Sequence, residues 1–180
     1  MTKPTWLIAA LIFTLLADQG WRAAAEQANP GSPAGVRSSH PVLANFITRA
    51  TEQSATFRGL VEAIKVHDGI VYVEAGECGH YVGSCLVGVT TAGRFRMLWI
   101  EVDAKKTDVG LIASIGHELQ HAVEILSDSG VRNGAEMFLY YLRMGRRAPG
   151  PIAFETTAAI DAGTAVREEI RKAQSRVKND

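Results

Sequence analysis

The sequence has no excess of either charge, since 19 Lys and Arg residues balance 19 Asp and Glu residues over 180 positions. A nucleic-acid groove and a polybasic membrane-binding patch both need surplus positive charge, so the composition predicts no nucleic-acid partner. A long apolar segment is also lacking. The run Trp6–Ala17 is too short to cross a bilayer, so we expect no stable membrane span in the mature chain.

The apolar run fits a secretory signal peptide instead. Lys3 provides a positively charged start, and Ala23–Ala25 provides small residues of the kind that signal peptidase recognises. We therefore predict a signal peptide at residues 1–25 and a secreted or periplasmic protein, with an uncleaved N-terminal anchor as the alternative. Residues 26–40 are rich in Pro, Gly, Ser and Ala, and they are predicted to be a flexible leader before a single domain at residues 41–180.

Cysteine is scarce, since Cys78 and Cys85, in the stretch CGHYVGSC, are the only two. In an oxidising compartment such a pair is expected to form a disulfide, which the loop-entropy model credits with roughly 2–3 kcal/mol. A metal site that combines the cysteines with His80 is the alternative. No fourth ligand follows at a familiar spacing, however, so the sequence favours the disulfide.

Hydrophobic periodicity predicts two helices, then three strands, then three helices. Ser54 is expected to cap the second helix, and Ala148–Pro151 is a clear break before the last one. Strands and helices segregated in this way indicate an α+β domain with a small three-stranded antiparallel or mixed sheet. The predicted elements are helices Pro41–Thr51 and Ala55–Val66, strands Ile70–Glu74, Leu86–Thr91 and Arg94–Val102, and helices Asp108–Ser127, Gly134–Met144 and Ile152–Ala173.

The most informative stretch is an HExxH motif, which begins at His117 and ends at His121 within a predicted helix. Residues four apart lie one above the other on a helix, so both histidines can bind the same metal ion, and imidazole nitrogen is a preferred ligand of zinc. Glu118 is one position further round the helix, where it can act on water without being a ligand. A helix with two solvated histidines is the alternative, because so short a pattern also arises by chance.

The rest of this helix supports the same placement. His117 and His121 lie on one side of the helical wheel with the small residues Gly110 and Ser114, nearly opposite an apolar stripe. We therefore expect the helix to pack one side on the sheet and to present the histidines to a cleft. The stripe consists of Ile112, Ile115, Leu119, Ala122, Val123 and Leu126.

The stretch Ser114–Val123 resembles the signature of the zincin metallopeptidases, in which uncharged residues and no proline surround HExxH. The resemblance covers roughly Ile70–Ile170. It implies a zincin-like fold, with a small sheet against the HExxH helix, a bound zinc ion, and a helical C-terminal half that carries the third ligand. Glu124 and Ser127 stand where the metzincin branch has Gly and His, which excludes that branch. The gluzincin type remains, as a small exported bacterial form in which a later Glu completes the site.

Two glutamates compete to be that third ligand. Glu136 lies on a predicted helix that is apolar nearly all round, so the helical wheel gives it no clear direction. Glu155 falls on the buried stripe of the final predicted helix, where a carboxylate is costly unless it is paired or bound to metal. The stripe consists of Ala158, Ala159, Ala162, Val166 and Ile170. We therefore predict a zinc site of His117, His121 and Glu155; the alternative for Glu155 is an acid that merely favours the first turn of a helix.

The sequence departs from the gluzincin branch at one position. That branch often has Asp four residues after the ligand, and here Ala159 occupies the position. Asp161 and Glu124 are the remaining candidates for a hydrogen bond to a zinc histidine.

The resemblance implies a metallopeptidase that hydrolyses a peptide or protein substrate, with Glu118 as the general base. Tyr140, Tyr141 and His80 are candidates for an oxyanion donor, although tyrosines in an aromatic-rich helix more often belong to the core. Two other functions stay open: a hydrolase of another amide, such as a cell-wall link, and a non-catalytic zincin-like binding module of the cell envelope. The presence of Glu118 favours an enzyme, because a structural zinc site does not need it.

Overall fold

A computed structural model of the chain describes residues 34–78, 83–105, 108–147 and 154–177. The predicted signal peptide, the leader up to residue 33, His80 and the break Ala148–Pro151 lie outside the described residues. Over the described ranges the chain is a mixed α+β structure, as the sequence predicts, with one small sheet, one two-stranded ribbon and five helices. None of these helices is long and apolar enough to cross a membrane.

Four strands form the main sheet: β1 (Gly35–Arg37), β2 (Gly69–Ala75), β3 (Ser84–Ala92) and β4 (Phe95–Val102). Their order is β1-β2-β4-β3, with β2 parallel to both β1 and β4, and with β3 antiparallel to β4. The sheet is therefore mixed, and β3 and β4 form a hairpin. A disulfide joins Cys78, after β2, to Cys85 on β3, as the sequence predicts.

The prediction of three strands is wrong, because β1 forms inside the segment that was expected to be a flexible leader. Val36 packs against the hydrophobic core, and Gly35 has a φ of 136°, which residues with side chains rarely adopt. A strand of three residues offers too few positions for an alternating pattern to stand out. The ordered domain accordingly begins before the predicted boundary at residue 41.

Five helices follow or flank these strands: α1 (Pro41–Gln53), α2 (Ala55–Val66), α3 (Asp108–Ser127), α4 (Gly134–Met144) and α5 (Thr157–Val177). The first four agree closely with the predicted ranges. The capping role of Ser54 is confirmed, because its side chain accepts a hydrogen bond from the Phe57 backbone N–H.

The start of the last helix differs from the prediction. Residues predicted as its first turn instead form β6 (Phe154–Glu155), which pairs antiparallel with β5 (Arg146–Arg147). Thr156 then caps the helix, since its side-chain oxygen accepts a hydrogen bond from the Ala159 N–H. The short ribbon therefore delays the helix until Thr157.

The helix α3 is buried on two sides. One side packs on the sheet, whose inward side chains include Val71, Leu98 and Ile100, and another side packs along α5. The histidine side of α3 was expected to face a cleft with room for a substrate or another helix, and α5 packs on that side. The predicted stripe of α5 is buried at Ala159, Ala162, Val166 and Ile170 but exposed at Ala158, while Val123 of the α3 stripe is only half-buried.

Glycines permit this close approach of α3 and α5. A Cβ atom on Gly116 would lie 2.8 Å from Val166 Cγ2, and a Cβ atom on Gly163 would lie 3.1 Å from His117 Cβ. Both positions lack room for a methyl group unless the neighbouring helix moves. The small residues of the two helices therefore bring α5 against the histidines.

A buried arginine holds the C-terminal end of α3. Arg96 on β4 is 3% exposed, and its guanidinium donates to Asp68 and to the backbone oxygens of Ile125, Leu126, Asp128 and Val131. These carbonyls include the last of the helix, which have no partner within it. The arginine therefore joins the sheet to the end of the helix that carries HExxH.

Candidate metal centre

His117, His121 and Glu155 come together at one point between α3 and the start of α5. The Oε2 atom of Glu155 lies 3.1 Å from His117 Nε2 and 3.9 Å from His121 Nε2. One donor atom from each of the three residues lies within 4.8 Å of the others. The geometry therefore brings together the three residues that the sequence predicts as a ligand set.

The distances from Glu155 to the two imidazoles are close to those between donor atoms around one metal ion. Zinc–ligand distances of about 2.0–2.2 Å separate neighbouring donor atoms by roughly 3.3–3.6 Å. The two observed distances bracket this range. The Oε2 atom of Glu155 is also buried and makes no hydrogen bond, although two imidazole nitrogens lie beside it. A buried carboxylate oxygen without a hydrogen-bond partner is costly, and a cation shared with the imidazoles would satisfy it.

His121 lies between two carboxylates. Its Nε2 atom faces Glu155, and its Nδ1 atom lies 3.0 Å from Glu124 Oε2. The side chain of His121 is 6% exposed. Burial alone would lower its pKa, but the adjacent carboxylates of Glu124 and Glu155 outweigh this effect and raise the pKa of His121 to about 9.

Of the two candidates for a hydrogen bond to a zinc histidine, Glu124 makes the contact and Asp161 is exposed. Glu124 also accepts a hydrogen bond of 2.6 Å from the Thr156 hydroxyl. Burial would raise the pKa of Glu124, but its contacts with His121 and Thr156 prevail and lower it. The carboxylate is therefore held in the charged form beside the ring.

Glu155 is also held as an anion. Its partial burial would raise its pKa, but the two histidines beside it lower the pKa to about 2. The site thus places two carboxylates against one buried imidazole. This arrangement favours a positive charge at the centre, whether that charge is a proton or a metal ion.

Glu118 lies on the sheet side of the same centre and is 4% exposed. Its Oε1 atom accepts a hydrogen bond of 2.8 Å from the Ser84 hydroxyl at the start of β3. Burial raises the pKa of Glu118, and the nearby histidines and Ser84 reduce that rise without cancelling it. Glu118 therefore holds a proton more readily than an exposed glutamate does.

Tyr141 and Tyr140, two candidates for an oxyanion donor, pack against His121 and against each other. The Tyr141 hydroxyl is 3.3 Å from the His121 carbonyl oxygen, to which it donates, and the Tyr141 ring packs edge-on against the His121 ring. Tyr140 packs edge-on against Tyr141. The tyrosines therefore support the motif helix, and His80 lies outside the described residues.

The competing glutamate lies elsewhere. Glu136 is in the first turn of α4, and its carboxylate accepts a hydrogen bond of 2.7 Å from the Arg132 backbone N–H. This contact is typical of an acid at the start of a helix. Glu136 is therefore an acid that favours the first turn of a helix, which is the role that the sequence left open for Glu155 as the alternative to metal binding.

Sequence reasoning missed Ser84 and Thr156. Nothing in the sequence around Ser84 marks it as a neighbour of Glu118, because β3 and α3 meet only in the folded chain. Thr156 carried a usable signal, since a threonine before an alanine-rich run is typical of a helix cap.

Compared with known proteins, the chain matches no protein-family model, no curated protein and no solved structure. The features that point to a function are therefore the geometry of the site and the HExxH motif.

Proposed function

We propose that this protein is a zinc-dependent hydrolase, acting as a small metallopeptidase of the zincin-like, gluzincin type. His117, His121 and Glu155 hold the metal, and Glu118 is the general base. The observation that carries the proposal is the convergence of Glu155 on both imidazoles, with its buried Oε2 atom lacking a hydrogen bond. The disulfide and the features of residues 1–25 support the further proposal that the protein acts in the periplasm or outside the cell.

Zinc in such a site polarises a carbonyl group and lowers the pKa of water to near 7. Glu118 takes the proton of the attacking water and passes it to the leaving amine. Ser84 holds Oε1 of Glu118, so the other carboxylate oxygen carries the proton.

Solvent reaches the site from the side of His117 and Glu155, whose side chains are 20% and 25% exposed. A substrate carbonyl would approach from this side, since His121 is almost completely enclosed.

A non-catalytic binding module with a structural zinc ion is the second candidate. The deep burial of Glu118 favours it, because a general base must reach the reacting water. The two candidates share the metal ligands and differ in whether Glu118 has a chemical role.

Both candidate functions require the same zinc site, so the metal content of the protein tests this shared feature. Purified mature protein should contain one zinc ion per chain by elemental analysis, and His117→Ala, His121→Ala and Glu155→Ala should each lower zinc affinity by more than about 100-fold, beyond the loss typical of outer-shell changes. Glu136→Ala is the matched control and should bind zinc like the wild type, since its carboxylate caps α4. Full zinc content in the His117→Ala/His121→Ala double variant would refute the site.

Glu118→Gln separates the two candidates. The variant keeps the shape and the Ser84 contact but cannot take a proton, so it should retain zinc and lose peptide turnover by at least about 100-fold. The assay is digestion of a broad peptide library, followed by kinetics on one cleaved peptide. Equal turnover by the variant and the wild type would show that Glu118 is not the base, and zinc binding without any cleavage would favour the binding module.

A further inference from the structure

A chain of hydrogen bonds connects the two ends of the candidate metal centre. The Thr156 hydroxyl donates to Glu124 Oε1 over 2.6 Å, and Glu124 Oε2 lies 3.0 Å from His121 Nδ1. Thr156 directly follows Glu155 in the chain. His121 on α3 and Glu155 just before α5 are therefore linked through the side chains of Glu124 and Thr156, which do not face the metal position.

The directions of these hydrogen bonds follow from chemistry. The Ala159 backbone N–H can only donate, so it occupies an acceptor position of the Thr156 hydroxyl. The carboxylate of Glu124 can only accept, so the single hydroxyl proton points to it. Glu124 in turn accepts a hydrogen bond from His121 Nδ1–H, which leaves Nε2 free to bind a metal ion.

We propose that Thr156 is a positioning residue of the metal centre, which fixes Glu124 against His121 and thereby sets the distance between His121 and Glu155. The proposal rests on the zinc site proposed above. It gives Thr156 two separable roles, as the cap of α5 and as the hydrogen-bond donor to Glu124. The side chain of Gln120, which precedes His121 on α3, is a second hydrogen-bond donor to the Glu124 carboxylate, but it does not link that carboxylate to the start of α5 as Thr156 does.

Thr156→Val removes the hydroxyl at nearly constant shape, and Thr156→Ser retains it. Zinc affinity is measured by competition with a chelating dye on the full mature chain. Thr156→Val should weaken zinc binding by about tenfold, the lower end of the range for outer-shell partners, and Thr156→Ser should restore it to within about threefold of wild type. Equal zinc affinity of the Val variant and the wild type would overturn the proposal.

Two control variants separate positioning from general stability. Asn133 caps α4 away from the site, so Asn133→Ala should lower the melting temperature of metal-free protein as Thr156→Val does, without changing zinc affinity. Thr164→Val makes the same substitution on the exposed side of α5, where the hydroxyl donates to the Ile160 carbonyl oxygen of the same helix. A similar loss of zinc affinity in either control would show that Thr156 acts only through stability.

A double-mutant cycle tests the route through Glu124. In a Glu124→Ala background, Thr156→Val should change zinc affinity by less than about twofold, because the acceptor of its proton is gone. A full tenfold effect in that background would overturn the proposed route. If the wild type binds zinc but cleaves no peptide, the hydrolase proposal fails while this inference stands. If the wild type binds no zinc, both fail.

Discussion

Replacing Arg96 with methionine should lower the free energy of unfolding by about 3–5 kcal/mol, because it leaves buried carbonyl oxygens without a hydrogen-bond donor. Methionine fills a similar volume but has no donors. The side chain of Arg96 is the most connected one described, since it donates to the Asp68 carboxylate and to four backbone carbonyl oxygens.

The size of the loss in unfolding free energy follows from the backbone carbonyl oxygens that lose their hydrogen-bond donor. Two of the carbonyls, those of Leu126 and Val131, accept hydrogen bonds from Arg96 in buried positions. The carbonyls of Ile125 and Asp128 each keep a second donor, a backbone N–H. A buried unsatisfied acceptor costs about 1–3 kcal/mol, so the two give roughly 2–6 kcal/mol. The middle of this range is the expectation.

Urea unfolding followed by circular dichroism measures this difference. With a slope of about 2 kcal/mol per molar, the midpoint of Arg96→Met should fall by about 2 M. Arg96→Lys should fall less, because lysine keeps the charge and some of the donors. Arg94→Met is the matched control on the same hairpin, where the side chain is exposed, and its midpoint should stay within about 0.3 M of wild type. Equal midpoints for Arg96→Met and Arg94→Met would refute the reasoning.

Two further stability predictions concern other parts of the fold. Glu169 accepts hydrogen bonds from Ser54 and Thr56 at the start of α2, and these contacts lower its pKa against the opposing effect of burial. A lowered folded-state pKa stabilises the protein above the unfolded value of about 4.3. Glu169→Gln should therefore cost about 1 kcal/mol at pH 7 in urea unfolding, and the difference from wild type should vanish as the pH falls through the folded-state pKa. Cys78→Ser/Cys85→Ser should cost roughly 2–3 kcal/mol relative to the oxidised wild type by the same assay, and an unchanged midpoint would contradict the loop-entropy argument.

The sequence predicted well wherever the answer depends on neighbours in the chain. The i, i+4 spacing of His117 and His121 places both rings on one side of α3 in any helix, and the capping role of Ser54 depends only on the next three residues. The Cys78–Cys85 disulfide closes a short loop, so few alternatives compete with it. These features need no knowledge of the rest of the fold.

The prediction of Glu155 as the third ligand assumes a helical position that the residue does not have. The structure brings Glu155 to both imidazoles, and its role as a metal ligand stays a prediction. Glu155 lies in β6, however, and not in the first turn of a helix. The helical wheel could not show this, because the pairing of β6 with β5 depends on how the chain returns from α4.

Local patterns of the chain are sufficient to predict an α+β fold, the helix that carries HExxH and the side of that helix on which the histidines lie, because hydrophobic periodicity and capping act over a few residues. Three contacts could not be predicted in this way: α5 packs against the histidines, the Thr156 hydroxyl donates to Glu124, and the Ser84 hydroxyl donates to Glu118. Each of them joins elements that are far apart in the chain, and the close approach of α5 depends on Gly116 and Gly163, where a Cβ atom would require the neighbouring atoms to shift.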